Sequence, residues 1–306
     1  MPPDATAVPT VDRPAARMTG DVDHALEAGL DALQTPAGPR PGRLRRAAGT
    51  LRSLALALTV LLTAWEGYVR LGPEPRSVVP GPTDVAAALG ALWRSGQSQT
   101  ALTTSLGRGL LGFAVAVAVA TPLGFLIARA RWLRAALGPL ISGLQVLPSV
   151  AWVPAALVWF GLSDATVYFV VLMGAVPSVI NGLLSGVDQV PALLRQVGRV
   201  LGASPWEQVR YVVLPAAMPG YVTGLRQGWA FSWRSLMAAE VIAVGGRLGF
   251  GLGSLLQQGR ASNDMATVVA AILLILVVGI VVEVAAFAPL ERALLRRRGL
   301  GVGAGR

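Results

Sequence analysis

Residues 266–282 read ATVVAAILLILVVGIVV, and residues 112–128 read GFAVAVAVATPLGFLIA. Neither stretch holds a charged side chain. A helix rises about 1.5 Å per residue, so a hydrocarbon core takes about 20 residues to cross, which each stretch reaches with its apolar flanks. Lipid offers no partner to a backbone N–H or C=O, so such segments must satisfy themselves as helices. Working outward from these two, apolar stretches recur at 51–69, 102–128, 137–160, 165–187, 218–244 and 266–290. The pattern predicts an all-α fold, a polytopic transmembrane bundle of about six spans. The fifth span is the least apolar, and Pro148 and Pro154 interrupt the third.

Composition agrees. Of 306 residues 54% are hydrophobic and 14% charged, against about 25% charge in an ordinary soluble domain. The chain has no Cys and one His, His24, which excludes disulfides and leaves no ligand set for zinc or haem. Every basic residue is Arg, so a phosphate loop ending in Gly-Lys-Ser or Gly-Lys-Thr is excluded. The Arg, Ala and Gly bias is that of a GC-rich bacterial genome. The net charge of +10 is read as orienting helices in a membrane rather than binding nucleic acid.

The Arg residues set that orientation. With both termini inside, the inner flanks (40–52, 129–138, 188–215, 291–306) hold sixteen Arg and the outer loops five. Cytoplasmic loops carry the Arg excess, so an even number of spans with cytoplasmic termini is expected. Residues 1–50 form a Pro, Ala and Arg-rich cytoplasmic tail, expected to be largely disordered, with one short amphipathic helix possible at 20–34. The membrane domain is 51–290, and 291–306 is a basic cytoplasmic tail. Between spans 1 and 2, Thr83 or Asp84 is a candidate cap for a short helix ending at Trp93.

The segment 188–215 carries the functional signal. Leu193, Leu194, Val197, Val200 and Leu201 recur at helical spacing, and Gly202 suits a helix end. A second helix then starts with Ser204 at its N-cap, Pro205 at N1 and Glu207 at N3, and Pro215 is expected to limit it. Taken alone, this is either an interfacial helix on lipid or a built elbow.

Spacing separates the two. The elbow resembles the cytoplasmic loop of ABC importer permeases, whose pattern is Glu-Ala-Ala, three residues, Gly, nine residues, Ile, one residue, Leu-Pro. Gln196, Val197 and Gly198 stand at the Glu-Ala-Ala positions; Gly202, Val212, Leu214 and Pro215 take the others. Gln replaces the acid, which removes any salt bridge that acid makes. The resemblance extends over about 75–290, through Ser105-Leu-Gly-Arg108, Gly112-Phe113, Leu147-Pro148, Trp159-Phe-Gly-Leu162, Gly224-Leu-Arg226 and Ala239-Glu240. Within the family it is nearest to permeases for aliphatic sulfonate, taurine and nitrate.

The resemblance implies a type I importer permease of the bacterial inner membrane: a permease homodimer, a pair of separate ATPase subunits that bind the ATP, and an extracytoplasmic substrate-binding protein. The chain itself would be no enzyme and hold no cofactor. The elbow, which includes Ala203, would dock into the ATPase through Trp206, Gln208, Val209 and Arg210, with Gly198 and Gly202 allowing close approach. The solute would be a small anion, or alternatively a vitamin precursor.

Other polar residues are placed by pattern. Arg226 and Arg234 lie within span 5, about 12 Å apart along a helix. Arg at membrane depth is expensive and suggests function, but Arg226 can equally snorkel or pair with Glu283. Trp229 and Trp233 line either the path or a packed core. Asn181 either meets solute or bonds a neighbouring helix. Glu66 and Glu240 are expected near outer ends, in water. The Gly249-Phe-Gly251-Leu-Gly253 run lacks the spacing of a nucleotide loop. An ion-coupled secondary transporter is the rival from a different class. It needs buried titratable groups and often repeats, and the spans hold few carboxylates. No nucleophile–base constellation supports an intramembrane enzyme, and the elbow pattern speaks against an inert scaffold.

Overall fold

A computed structural model describes residues 43–245 and 248–297. The tail expected at 1–42, with its helix at 20–34 and His24, lies outside the described residues, as do the last nine residues of the basic C-terminal tail. All regular structure among the described residues is helical. The described residues up to Leu61 belong to one unit and begin α1 (Arg43–Leu71), where Leu56, Leu58, Val60 and Leu61 are exposed.

The second unit, 62–306, continues α1 and adds α2 (Pro82–Arg94), α3 (Gln97–Arg129), α4 (Arg131–Val146), α5 (Val153–Phe160), α6 (Asp164–Asp188), α7 (Ala192–Val200), α8 (Leu214–Ile242), α9 (Leu252–Ala261), α10 (Met265–Val282) and α11 (Ala288–Arg297). Three stretches are long and apolar enough to cross a membrane: Gln97–Arg129, Asp164–Asp188 and Met265–Leu294. A further apolar stretch is a pair of helices, α4 and the 3₁₀–α5 stretch after it, bent by 97° at the break. α1 and α8 have 29 residues each, long enough to cross, but are less apolar.

The break falls at Pro148, one of the two prolines expected to interrupt the span 137–160. α4 begins six residues earlier, and its apolar run stops at Leu147, which is extended (ψ 122). A residue before proline is pushed out of the α region, and Pro148 (φ −58, ψ 126) then starts a 3₁₀ turn, Ser149–Trp152. The expected cap of the short helix α2 needs correcting. Its N-cap is Gly81, whose N–H donates to Asp84 at 3.0 Å, while the Thr83 hydroxyl donates to Glu66. The helix α9 behind the Gly-rich loop was not expected at all.

The most extensive helix contact is α6 against α8, and glycines make it. Gly182 and Gly186 on α6 face Gly224 and Gly220 on α8. A methyl placed on Gly182 would land on the Gly224 backbone, and one on Gly186 would meet the Ala217 carbonyl at 2.5 Å. Small residues four apart let helix backbones approach closely where lipid supplies no hydrophobic drive between helices. Around this seam Trp229 and Trp233 stack at 5.9 Å, and Phe113 meets Trp229 edge-on at 5.5 Å.

Candidate functional site: the elbow, the span cavity and the far-end network

At one end of the bundle, α6 ends at Asp188 and the chain turns at Pro191 into α7. α7 stops where Gly202 takes a left-handed conformation (φ +78), which frees Gly202 N–H to reach the Arg199 carbonyl and Ala203 N–H to reach Gly198, each at 3.0 Å. This is a helix C-cap of the kind glycine supplies at no steric cost. The next turn forms as its sequence demands. Ser204 accepts from Glu207 N–H at 3.3 Å, and Glu207 accepts from Ser204 N–H at 2.8 Å. Pro205 sits at N1, where its missing donor costs nothing.

Past Glu207 the reading needs correcting. Pro215 does not end the helix. Residues Gln208–Val213 open into a π-helix that runs into α8. Pro215 has no N–H for a carbonyl in the turn before it, and a widened turn is how a continuous helix accommodates that loss. The elbow is therefore the base of a span. Two contacts brace it: the Gln208 amide donates to the Arg195 carbonyl at 2.5 Å, and buried Gly198 passes Val212, which a β-carbon would meet at 3.4 Å. Gln196 is exposed, as are Trp206, Arg210 and Pro215. Val209 and Leu214 are half-buried. The apolar stripe is bare, with Leu193, Val200 and Leu201 exposed by 66%, 87% and 79%.

Within the span region, Arg226 forms ion pairs with Glu283 and, at 3.5 Å, Glu291. Trp229 and Trp233 are 3% and 6% exposed, and the Trp233 indole N–H donates to the Ile275 carbonyl; both belong to the packed core. The Asn181 amide donates to Gln145 on α4 at 2.5 Å, and Gln145 in turn donates to Ser178. Arg234 differs from Arg226. It is exposed, lies 4.9 Å from the Phe231 ring centroid, donates Nε to the Ala230 carbonyl, and has no acidic partner among the described residues. It lines a cavity of about 260 Å³ at the α4 bend, with Gln145, Ser149, Gly174 and Phe231.

At the opposite end from the elbow lies a group that the sequence reading missed. Glu240 is 1% exposed, not in water. Its carboxylate accepts from Ser105 at 2.7 Å, Arg108 at 3.2 Å and Gly253 N–H at 3.1 Å. Arg108 also reaches Asp164 at 2.7 Å and the Gly249 carbonyl. The glycines of the loop have a packing reason: a β-carbon on Gly253 would meet that of Glu240 at 2.5 Å. A charged Arg one turn into an apolar run, with a lone Glu at another span's end, was the available signal.

Comparison with known proteins settles the family. Residues 120–289 match the inner membrane components of binding-protein-dependent transport systems. The chain belongs to that family. It is an ABC importer permease, and membership implies an ATPase and a substrate-binding protein as partners. It is 30% identical to the riboflavin transport system permease RibX of Chloroflexus aurantiacus, over 86% of this chain and 96% of RibX. The nitrate import permease NrtB of Synechocystis is 29% identical over 75% of this chain and 84% of its own. SsuC of Bacillus subtilis, assigned to aliphatic sulfonates transport, is 28% identical over 85% and 91%. An inward-facing MetNI methionine ABC transporter chain shares the fold, with TM-score 0.54 at 18% identity over 63% of this chain and 94% of that one.

Proposed function

We infer that this permease forms the membrane path for a small anionic solute and is driven by a separate ATPase that grips its elbow. The observation that carries the coupling is the elbow's bare apolar surface. Leu193, Val200, Leu201 and Trp206 are left exposed on a rigidly capped turn that continues without a break into α8. Apolar side chains on a braced projection are what a groove in a second protein buries. A push on residues 201–211 is transmitted to α8, and through the glycine seam to α6. Gln196, Gly198 and Gly202 through Pro215 form the coupling segment, and Arg210 and Gln208 its polar contacts.

The solute reading rests on Arg234. A guanidinium with no acidic partner beside a small cavity in a span favours an anion. A cavity of about 260 Å³ lies below the roughly 300–1,000 Å³ of pockets for drug-sized ligands, which favours nitrate, taurine or an alkyl sulfonate over a vitamin. The permease works as a homodimer in the bacterial inner membrane, with elbow and termini in the cytoplasm, as the Arg distribution requires. The test is a pull-down of the ATPase with Gly202→Trp and Arg210→Glu permeases, alongside uptake of labelled nitrate, taurine and methanesulfonate. Lost assembly with lost uptake is expected; unchanged assembly and uptake in both variants overturns the coupling reading. Uptake that survives deletion of the ATPase gene favours ion-coupled transport.

A further inference from the structure

We propose that the elbow end of the bundle carries a binding site for a phosphate-bearing anion, in the cleft between the start of α4 and the end of α6. The cleft encloses about 670 Å³ and is lined by Arg131, Arg134, Asp188 and Arg195. Arg134 and Asp188 neutralise each other through both oxygens of the carboxylate. Two cations remain. Arg131 is exposed and has no ion pair or side-chain hydrogen bond among the described residues. Arg195 has only the neutral Val187 carbonyl, at 2.6 Å, and its Nε is buried without any hydrogen-bond partner. Two guanidiniums without a carboxylate partner line one cleft, and such a pair favours an anionic acceptor.

The place selects the acceptor. Arg131 opens α4 and Arg195 sits in α7, so one oxyanion held between them ties the α3–α4 turn to the elbow. Arg forks suit phosphate oxygens, and the cleft lies where the apolar helices α3 and α6 end. Basic pockets between spans on the inner side take anionic lipid headgroups. This site is separate from the Arg234 cavity and does not depend on which solute is carried.

The purified permease with its ATPase is compared with Arg131→Gln, Arg195→Gln and Arg199→Gln, the last an exposed cation on the same helix that does not line the cleft. Retention of phosphatidylglycerol and of phosphatidylcholine is read by native mass spectrometry, and thermal midpoints are read with each lipid and with inorganic phosphate. Phosphatidylglycerol is expected to be retained selectively, with a drop of roughly fivefold for Arg131→Gln and for Arg195→Gln, and none for Arg199→Gln. Arg131→Gln breaks no ion pair or side-chain hydrogen bond among the described residues, so its result stands even if Arg195→Gln folds poorly. Stabilisation by inorganic phosphate that matches the lipid's assigns the site to the free anion; stabilisation by the lipid alone assigns it to a headgroup. Equal retention of the two lipids, or Arg131→Gln behaving as Arg199→Gln, overturns the site and leaves the cleft to an acidic side chain of the ATPase.

Discussion

Glu240 is the residue whose surroundings differ most from what its neighbours in sequence suggest. It is an acid near the end of a span, yet Ser105, Arg108 and Gly253 surround its carboxylate and water does not reach it. Desolvating two charges costs several kcal/mol each, and the network recovers this only while every partner is in place. Removing the acid leaves Arg108 with Asp164 alone, itself half exposed. Glu240→Leu is therefore expected to destabilise the chain by about 3 kcal/mol, read as a lower thermal midpoint in detergent. Adding Arg108→Leu is expected to restore much of that loss, because the double variant buries no lone charge. A double variant as unstable as the sum of the singles would show that the two residues act independently.

Among the elements, the elbow and the glycine seam were not equally legible. The capped turn could be read from Ser204, Pro205 and Glu207 alone, because a capping box is a local bond pattern with fixed spacing. Its continuation could not: Pro215 normally stops a helix, and the π turn that rescues it has no sequence signature of its own. The α6–α8 seam was legible but not read. Gly182 with Gly186, and Gly220 with Gly224, are small-residue pairs four apart, yet which helix each pair meets is a tertiary fact. At Glu240 only the two charges showed in the sequence; that they meet was not legible, because the network joins three elements. Two outcomes follow at this scale. Gly182→Ala drives a methyl into the Gly224 backbone and is expected to cost about 1–3 kcal/mol; Gly143→Ala, with open space around it, is expected to cost close to nothing in the same denaturation series. The second concerns pH. The hydroxyl and then the backbone N–H of Ser204 hold Glu207 below its ordinary value near 4.5. A carboxyl lowered in the folded state stabilises it above the unfolded value and ceases to as pH falls through the folded one. Amide protection at residues 204–208 should then hold from neutral pH to about 4.5 and decline below. In Glu207→Gln that decline should be absent; the same decline in the variant would remove Glu207 as its cause.

For the whole molecule, every functional statement depends on which end of the bundle faces the ATP. The elbow end carries Arg131, Arg134, Arg195, Arg199 and Arg210, while the Glu240 end closes on a loop of glycines and a buried carboxylate. A membrane protein keeps its Arg-rich short loops in the cytoplasm, and a turn that receives force from an ATPase must lie there too. These two requirements are independent, and they select the same end. The chain has no Cys, so a single introduced thiol reports its side without background. Gln196→Cys sits on exposed α7, and Ser262→Cys sits in the turn between α9 and α10. In intact cells an impermeant maleimide is expected to label Ser262→Cys and to spare Gln196→Cys until the membrane is opened. The reverse pattern would put the elbow outside the cell, beyond the reach of ATP, and with it would fall the coupling role of 188–215; the packing of the helices would stand.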